Sequence, residues 1–492
     1  MGANTILPLI LLLVFVGIVA AIGVVVYSVA KNVGRNTREK IERKNIALTR
    51  DGMKVQVKEV KDETYKDRTQ SVLFNMWNHT SFPAYKSRLW DMAGSSSTEQ
   101  KTDAEKRQLP LETPIEEETL PHYDTEQFYP VHIGDEFVGR YRVTGKLGFG
   151  AYSTSWLCQD LRSQRHAVLK VSTSLRKFPT ATDREFKIYE RLGKIKSAHP
   201  GQSLIRELYD SFELQGDAGK HRCLVLQPMH MTLLEMIRLN PRPFDLPLLK
   251  MTLRRLLLAL DFLHTEADII HTDLKTDNLM LSLEDNTMLA DFADEEARQP
   301  SPRKMIEESR TIYQSRRFRR PFRGKSFGLP ILCDFGEARI GKTQESGPFV
   351  QPNIYRAPEI IFEMAWGSAV DIWNLGALIW DLFEGQHLFG DVFDDNGNHD
   401  TFMHLALMVA LIGPPPVDFV QRSETTRQCF DHNGSWIAHQ DAAVPSTSLE
   451  SQEKRLSGTE KESFLHFVRS MLKWLPEERK TARELLDDPW LL

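Results

Sequence analysis

The chain has 492 residues, of which 41% are apolar, enough for about two to four domain-sized units around a real core. Its net charge of −5 gives no global reason to expect direct nucleic-acid binding. Four cysteines (Cys158, Cys223, Cys333 and Cys429) are widely spaced and form no CxxC pair, which argues against a disulfide framework or a zinc site and fits a reducing compartment.

Residues 6–30 contain no charged side chain and are rich in Leu, Ile and Val. About 20 such residues suffice to cross a hydrocarbon core, so residues 1–35 are expected to form a transmembrane anchor. A secretory signal peptide would have a basic start and a shorter apolar region. Lys31, Arg35, Arg38, Lys40, Arg43 and Lys44 follow the run directly, which places the rest of the chain in the cytoplasm. Residues 36–130 read as a juxtamembrane segment and charged linker, poor in aromatics from 98 to 119 and carrying Glu116, Glu117 and Glu118 in a row.

A strand-like Tyr141-Arg142-Val143 then runs into Gly145-Lys146-Leu147-Gly148-Phe149-Gly150, a glycine-rich turn whose amides can approach phosphate oxygens. Ala167-Val168-Leu169-Lys170 ends an apolar strand in a lysine twenty positions after Gly150. Glu185, on a helical pattern, is the chosen partner for Lys170, with Glu190 as its rival. Residues 223–229 read as a buried strand leading into a hinge. Leu249, Leu253, Leu256, Leu260 and Leu263 mark one face of a core helix, and that helix presents His271-Thr272-Asp273-Leu274-Lys275-Thr276-Asp277-Asn278. This loop can place a carboxylate base (Asp273), a phosphate-binding cation (Lys275) and a metal-binding amide (Asn278) around one phosphoryl group.

A second metal ligand has two candidates, since Asp291-Phe292-Ala293 follows Asn278 by 13 positions and Asp334-Phe335-Gly336 by 56. Asp334 is preferred, because an apolar strand leads into it, a glycine follows, and Ala357-Pro358-Glu359 lies 23 positions beyond. Residues near 285–328 then become an insertion. Further on, Asp371 opens an apolar helix with Ser368 as a possible cap, and Arg479 is a candidate buried partner for Glu359.

With seven motifs in order, residues 131–492 resemble a eukaryotic protein kinase. Thr272, the stretch Asn353-Ile354-Tyr355-Arg356-Ala357-Pro358-Glu359, residues 404–416 and the spacer before Asp334 resemble the serine/arginine-protein kinases, and Pro228-Met229-His230-Met231 resembles fungal ones. The resemblance implies an α+β bilobal fold, with a small β-rich N-lobe (131–226) and a larger helical C-lobe (227–492) behind the transmembrane helix. It implies ATP and Mg²⁺ as cofactors, with Asp273, Lys275, Lys170 and Glu185 catalytic and Asn278 and Asp334 on the metal. ATP would contact Leu147, Gly148, Gly150, Ser155, Val168, Lys170, Leu226 and Met229. Ser155 stands where a small apolar residue is usual and Val168 where alanine is usual, so the adenine pocket would be more polar above and tighter beside. Thr272 replaces an arginine that reads an activation-loop phosphate, which implies a kinase that needs no such phosphorylation.

The implied activity is transfer of the ATP γ-phosphate to serine in Arg-rich proteins; the alternative is a membrane-tethered pseudokinase acting as a scaffold. Residues 301–325 carry nine Lys or Arg against two acids and show no buried pattern. Such a charge run is expected to form a solvated basic loop; the alternative lays it in an acidic groove offered by Asp381, Glu384, Asp391, Asp394, Asp395 and Asp400, with Ser315 phosphorylated or held as a pseudosubstrate.

Overall fold

The computed structural model describes residues 108–492 apart from 122, 177–178, 308, 320–327, 348 and 395–396. The apolar run and the juxtamembrane segment to residue 107 lie outside the described residues, and no described helix is long and apolar enough to cross a membrane.

Strands β1 (Glu136–Phe137), β2 (Tyr141–Gly150), β3 (Ser153–Asp160), β4 (Arg165–Ser174), β5 (Leu208–Gly216) and β6 (Gly219–Leu226) form an antiparallel sheet in the order β1-β2-β3-β4-β6-β5. Successive side chains on a strand point to opposite faces. Trp156 and Cys158 of β3, Ala167, Leu169 and Val171 of β4, and Cys223 and Val225 of β6 therefore bury together on one face. The alternate residues Ser155, Val168, Lys170, Leu224 and Leu226 turn to the other, where Val168, Leu224 and Leu226 join the core shared with the helical lobe. The functional face of the sheet thus follows from strand periodicity. Helix α1 (Pro179–Lys194) joins β4 to β5 and sends Ile188 and Tyr189 into the same core.

In the C-lobe, α2 (Leu233–Leu239) starts in a capping box between Thr232 and Glu235, and α3 (Leu246–Phe262) starts on the Asp245 side chain. The five leucines expected on the core face of α3 and its end are each at most 3% exposed. A wide turn, Leu263–Ala267, ends the helix with Asp268 in the left-handed region. Strand β7 (Ile269–Ile270) then leads into the loop at 271–278, and β8 (Leu279–Leu281) leads out of it.

Over its described residues the insertion is a folded element, which corrects the expected solvated basic loop. It consists of helix α4 (Thr287–Arg298) and a hairpin of β9 (Arg303–Glu307) and β10 (Arg310–Tyr313). Met288, Leu289, Phe292 and Phe318 bury against Leu157 and Leu147 of the N-lobe, and Tyr313 joins the outer face of the sheet against Trp156. Phe292 approaches β2 so closely that a Cβ on Gly145 would stand 2.7 Å from its ring, whereas one on Gly148 or Gly150 would meet nothing within 4 Å. Gly145 thus answers to the insertion, and the other two glycines face open space. Replacing Gly145 with Ala should destabilise the fold by about 1–3 kcal/mol through overpacking, read as a shifted urea midpoint at unchanged slope. An unshifted midpoint would show that Phe292 yields freely.

The expected linker is folded over residues 113–121 and 123–128 as well. Glu116–Thr119 forms a 3₁₀ turn whose acids serve the N-lobe and the insertion: Glu117 meets the fully buried Lys146, and Glu118 holds Lys304 at 2.9 Å. The acidic groove is corrected too, because several of its members are engaged within the lobe. Asp381 takes the Tyr355 hydroxyl and His387, Asp394 takes the Asn398 amide, and Asp400 caps α7 (Thr401–Ile412). Ser315 is bound to Glu116 on the N-lobe side rather than to these acids.

Helix α5 (Pro358–Ile361) begins the last part of the lobe, and α6 (Ala369–Phe383) is buried on nearly every side. Ser368 stands at the N-cap position of α6 without a side-chain capping bond. Glu359 and Arg479 form the expected buried pair, which is bidentate at 2.6 and 2.7 Å. Removal of one partner from such a pair would cost about 3–5 kcal/mol.

Candidate active site

Asp371, fully buried in the first turn of α6, fixes the loop at 271–278 from behind. Its carboxylate accepts the backbone N–H of His271 at 2.8 Å and of Thr272 at 2.7 Å, with His264 on the same group at 2.8 Å. Asn374 adds a bond to the Leu274 carbonyl at 2.6 Å. The backbone at Thr272 adopts φ +65° and its hydroxyl donates to the Glu337 carbonyl at 2.7 Å. The loop and the segment that follows Asp334 are thereby joined directly.

The fixed loop turns Asp273, Lys275 and Asn278 toward one another. Asp273 Oδ2 accepts from Lys275 Nζ at 2.9 Å and from Asn278 Nδ2 at 2.8 Å. Burial would discharge Lys275, but the Asp273 carboxylate overrides it and raises the ammonium's pKa. With its Nδ2 also donating to the Asp273 carbonyl, Asn278 keeps its amide oxygen for a cation.

Strand β11 (Pro330–Leu332) pairs antiparallel with β8, and the Cys333 amide donates to the Asn278 carbonyl at 2.9 Å, which brings Asp334 beside the loop. Asp334 has φ +61°, and its Oδ1 accepts from the Gly336 amide at 3.2 Å. Lys170 Nζ lies 3.6 Å from Asp334 Oδ1 and 2.7 Å from Glu185 Oε2. That answers the choice between glutamates, since Glu185 is buried on α1 and Glu190 is exposed. Lys170 foremost, with Lys275, holds the Asp334 carboxyl down at about 2, so it is ionised throughout the physiological range. Phe335 is buried between Tyr189 of α1 and His271 of the loop, with ring centroids 5.4 and 5.3 Å away. Helix, metal segment and loop are locked in one arrangement. Asp291 sits exposed on α4, away from this cluster.

Above the cluster, Ser155 lies in register between Gly148 and Lys170, and Val168 pairs with Leu226. Val168, Leu226 and Met229 are each at most 3% exposed. Leu147 packs both on this core and on the insertion. Sequence reasoning missed the floor, which Met280, Ile331 and Cys333 form with Met229. The signal was alternation along β8: Leu279 and Leu281 enter the core, so Met280 between them must face the cleft.

Asn278 and Asp334 offer hard oxygen donors, which suit Mg²⁺, and two protein ligands leave its other positions to phosphate oxygens and water. Among the described residues, no cluster of three or more His, Cys, Asp or Glu forms a protein-only metal cage.

A β lobe over a helical lobe, with one lysine shared by two carboxylates and a second carboxylate–lysine–amide group below it, defines a protein kinase. The protein kinase domain family matches residues 141–318 and 327–491, and the chain belongs to that family. It is a protein serine/threonine kinase. Its relatives include a serine/threonine protein kinase of Aspergillus fumigatus, 45% identical over 379 residues covering 77% of this chain and 91% of the relative. The serine/threonine-protein kinase SRPK of Physarum polycephalum is 30% identical over 76% of this chain and 91% of its own length. Human SRSF protein kinase 3 is 25% identical over 76% and 90%.

Proposed function

We propose that the cleft transfers the γ-phosphate of ATP to serine in Arg-rich protein substrates. Asp273 takes the serine hydroxyl proton and Lys275 offsets charge on the moving phosphoryl group. Lys170, oriented by Glu185, binds the non-transferred phosphates, and Asn278 and Asp334 hold magnesium when it is bound. The nucleotide base sits between Leu147, Ser155 and Val168 above and Met229 and Met280 below, with Leu226 at the back and the open amides at Gly148 and Gly150 over the phosphates. The intact Lys170–Glu185–Asp334 cluster is the observation that carries a transferase reading over a scaffold.

The Arg-rich preference is supported by the SRPK name of a relative and by Glu235, which lies on the helix α2 that packs beside residues 276–278 and already accepts the Arg317 guanidinium at 3.2 Å. An Arg-Ser peptide should therefore be used with a higher kcat/KM than its Lys-Ser counterpart, because Lys lacks the planar fork. Glu235→Gln should raise KM for the Arg-Ser peptide by roughly tenfold, the equivalent of about 1.4 kcal/mol. Equal kcat/KM for the two peptides would remove the arginine preference.

The sequence also supports a single-pass membrane protein with its kinase domain in the cytoplasm. The full chain should sediment with membranes, and deletion of residues 1–35 should release it. A full chain that stays in the supernatant after ultracentrifugation would end that reading.

A further inference from the structure

Ser315 is the point where three parts of the chain meet. Its amide donates to Glu116 Oε1 at 3.0 Å and its hydroxyl donates to the other oxygen of the same carboxylate. The next amide, Arg316 N, donates to the Lys146 carbonyl of β2 at 2.9 Å. Lys146 Nζ, with its side chain fully buried, lies 3.5 Å from Glu116 and closer to Glu117. The turn at 116–119 therefore holds the insertion to the glycine-rich strand through charged contacts, and Glu117 is its one buried residue. With so little apolar burial, the turn depends on these ion pairs and hydrogen bonds to stay in place.

We propose that Ser315 is a phosphorylation site whose modification ejects Glu116 and releases this turn. Ser315 precedes Arg316 and Arg317, so it has the chemistry of the substrates assigned above, and the inference rests on that reading. In the cleft of a second copy of the chain, Ser315 Oγ bonds to the γ-phosphorus of ATP. The bond from that phosphorus to the β,γ-bridging oxygen breaks, ADP leaves, and the hydroxyl proton passes to Asp273 of that copy. The product bears a charge of about −1.5 to −2 where a neutral hydroxyl had donated to a carboxylate. Lys146 and Arg316 beside this contact are already paired, Lys146 with Glu117 and Arg316 with Glu296 at 2.7 Å. Repulsion between the phosphate and Glu116 then opens the clamp. Ser309, exposed in the β9–β10 turn and followed by Arg310, is the internal control, since it is not among the partners of Glu116.

The test gives the wild-type full chain, with ATP and Mg²⁺, two substrates in parallel: an Arg-Ser peptide and the full chain carrying Asp273→Asn. Phosphosites are mapped by mass spectrometry, and cleavage after Glu116, Glu117 and Glu118 by a glutamate-specific protease is timed. Phosphate should appear on Ser315, and cleavage at the triplet should accelerate by about tenfold or more. In the Asp273→Asn, Glu116→Gln chain the acceleration should vanish, because a neutral amide faces the phosphate. A phosphorylated peptide with Ser315 unmodified, or phosphate on Ser309 alone, overturns the inference and leaves the proposed function standing. Failure of both substrates overturns both. Phosphorylated Ser315 with unchanged cleavage, or acceleration that persists with Glu116→Gln, overturns the clamp.

Discussion

Phosphoryl transfer by the Asp273→Asn enzyme should fall by roughly 100- to 10,000-fold, with ATP affinity nearly unchanged. The geometry separates the two effects. Asp273 lies under the phosphoryl end of the cleft, where Lys275 and Asn278 bind its Oδ2, while the adenine pocket is built from Leu147, Val168, Leu226, Met229 and Met280. An asparagine of the same shape still accepts from Asn278 through its amide oxygen, so the loop keeps its place. It has lost the basic oxygen that receives the serine proton. The expected loss corresponds to about 2.7–5.4 kcal/mol of transition-state stabilisation. Turnover at the wild-type rate would remove Asp273 from the chemistry, and a parallel loss of ATP binding would make its role structural.

Asp334→Ala should abolish magnesium-dependent transfer, while Asp291→Ala should leave it intact. A metal ion on the phosphates supplies several kcal/mol of charge stabilisation, so loss of its protein carboxylate should lower kcat by at least about a hundredfold. Asp334 points at Lys170 and follows the strand that pairs with β8. Asp291 belongs to an insertion helix whose buried face, Met288, Leu289 and Phe292, packs on the N-lobe. Steady-state assays across a magnesium series distinguish the two, and the reverse outcome would mean that the aspartate nearer in sequence holds the metal.

The residues that the fold brings together in the cleft were legible in the sequence because most of them sit in short motifs that the chain presents in order. Lys170 and Glu185 are 15 residues apart, yet strand and helix periodicity gave each its facing side, and they meet at 2.7 Å. Arg479 was legible for a related reason: a buried charge must find a partner, and Glu359 is that partner. The insertion and the residues before it were not legible. Glu116, Glu117 and Glu118 in sequence are indistinguishable from a solvated run, and their placement depends on Lys146, Lys304 and Ser315, which no local pattern links to them. Phe292 and Phe318 likewise meet across 26 residues at a ring separation of 5.1 Å, a contact that periodicity does not encode. Gly145 shows the same limit from the other side, since its absent side chain reads as phosphate chemistry until the Phe292 ring is seen against it.

The central claim is that this cleft moves a phosphoryl group from ATP to serine, and the most direct measurement is the product itself. The full chain, in mild detergent with ATP and an Arg-Ser peptide, is quenched over time and the peptide is sequenced by mass spectrometry with and without Mg²⁺. The account predicts phosphoserine that accumulates with Mg²⁺, is absent without it, and is lost with Asp334→Ala. An unmodified peptide together with measurable ATP binding would contradict it and return the chain to the scaffold reading.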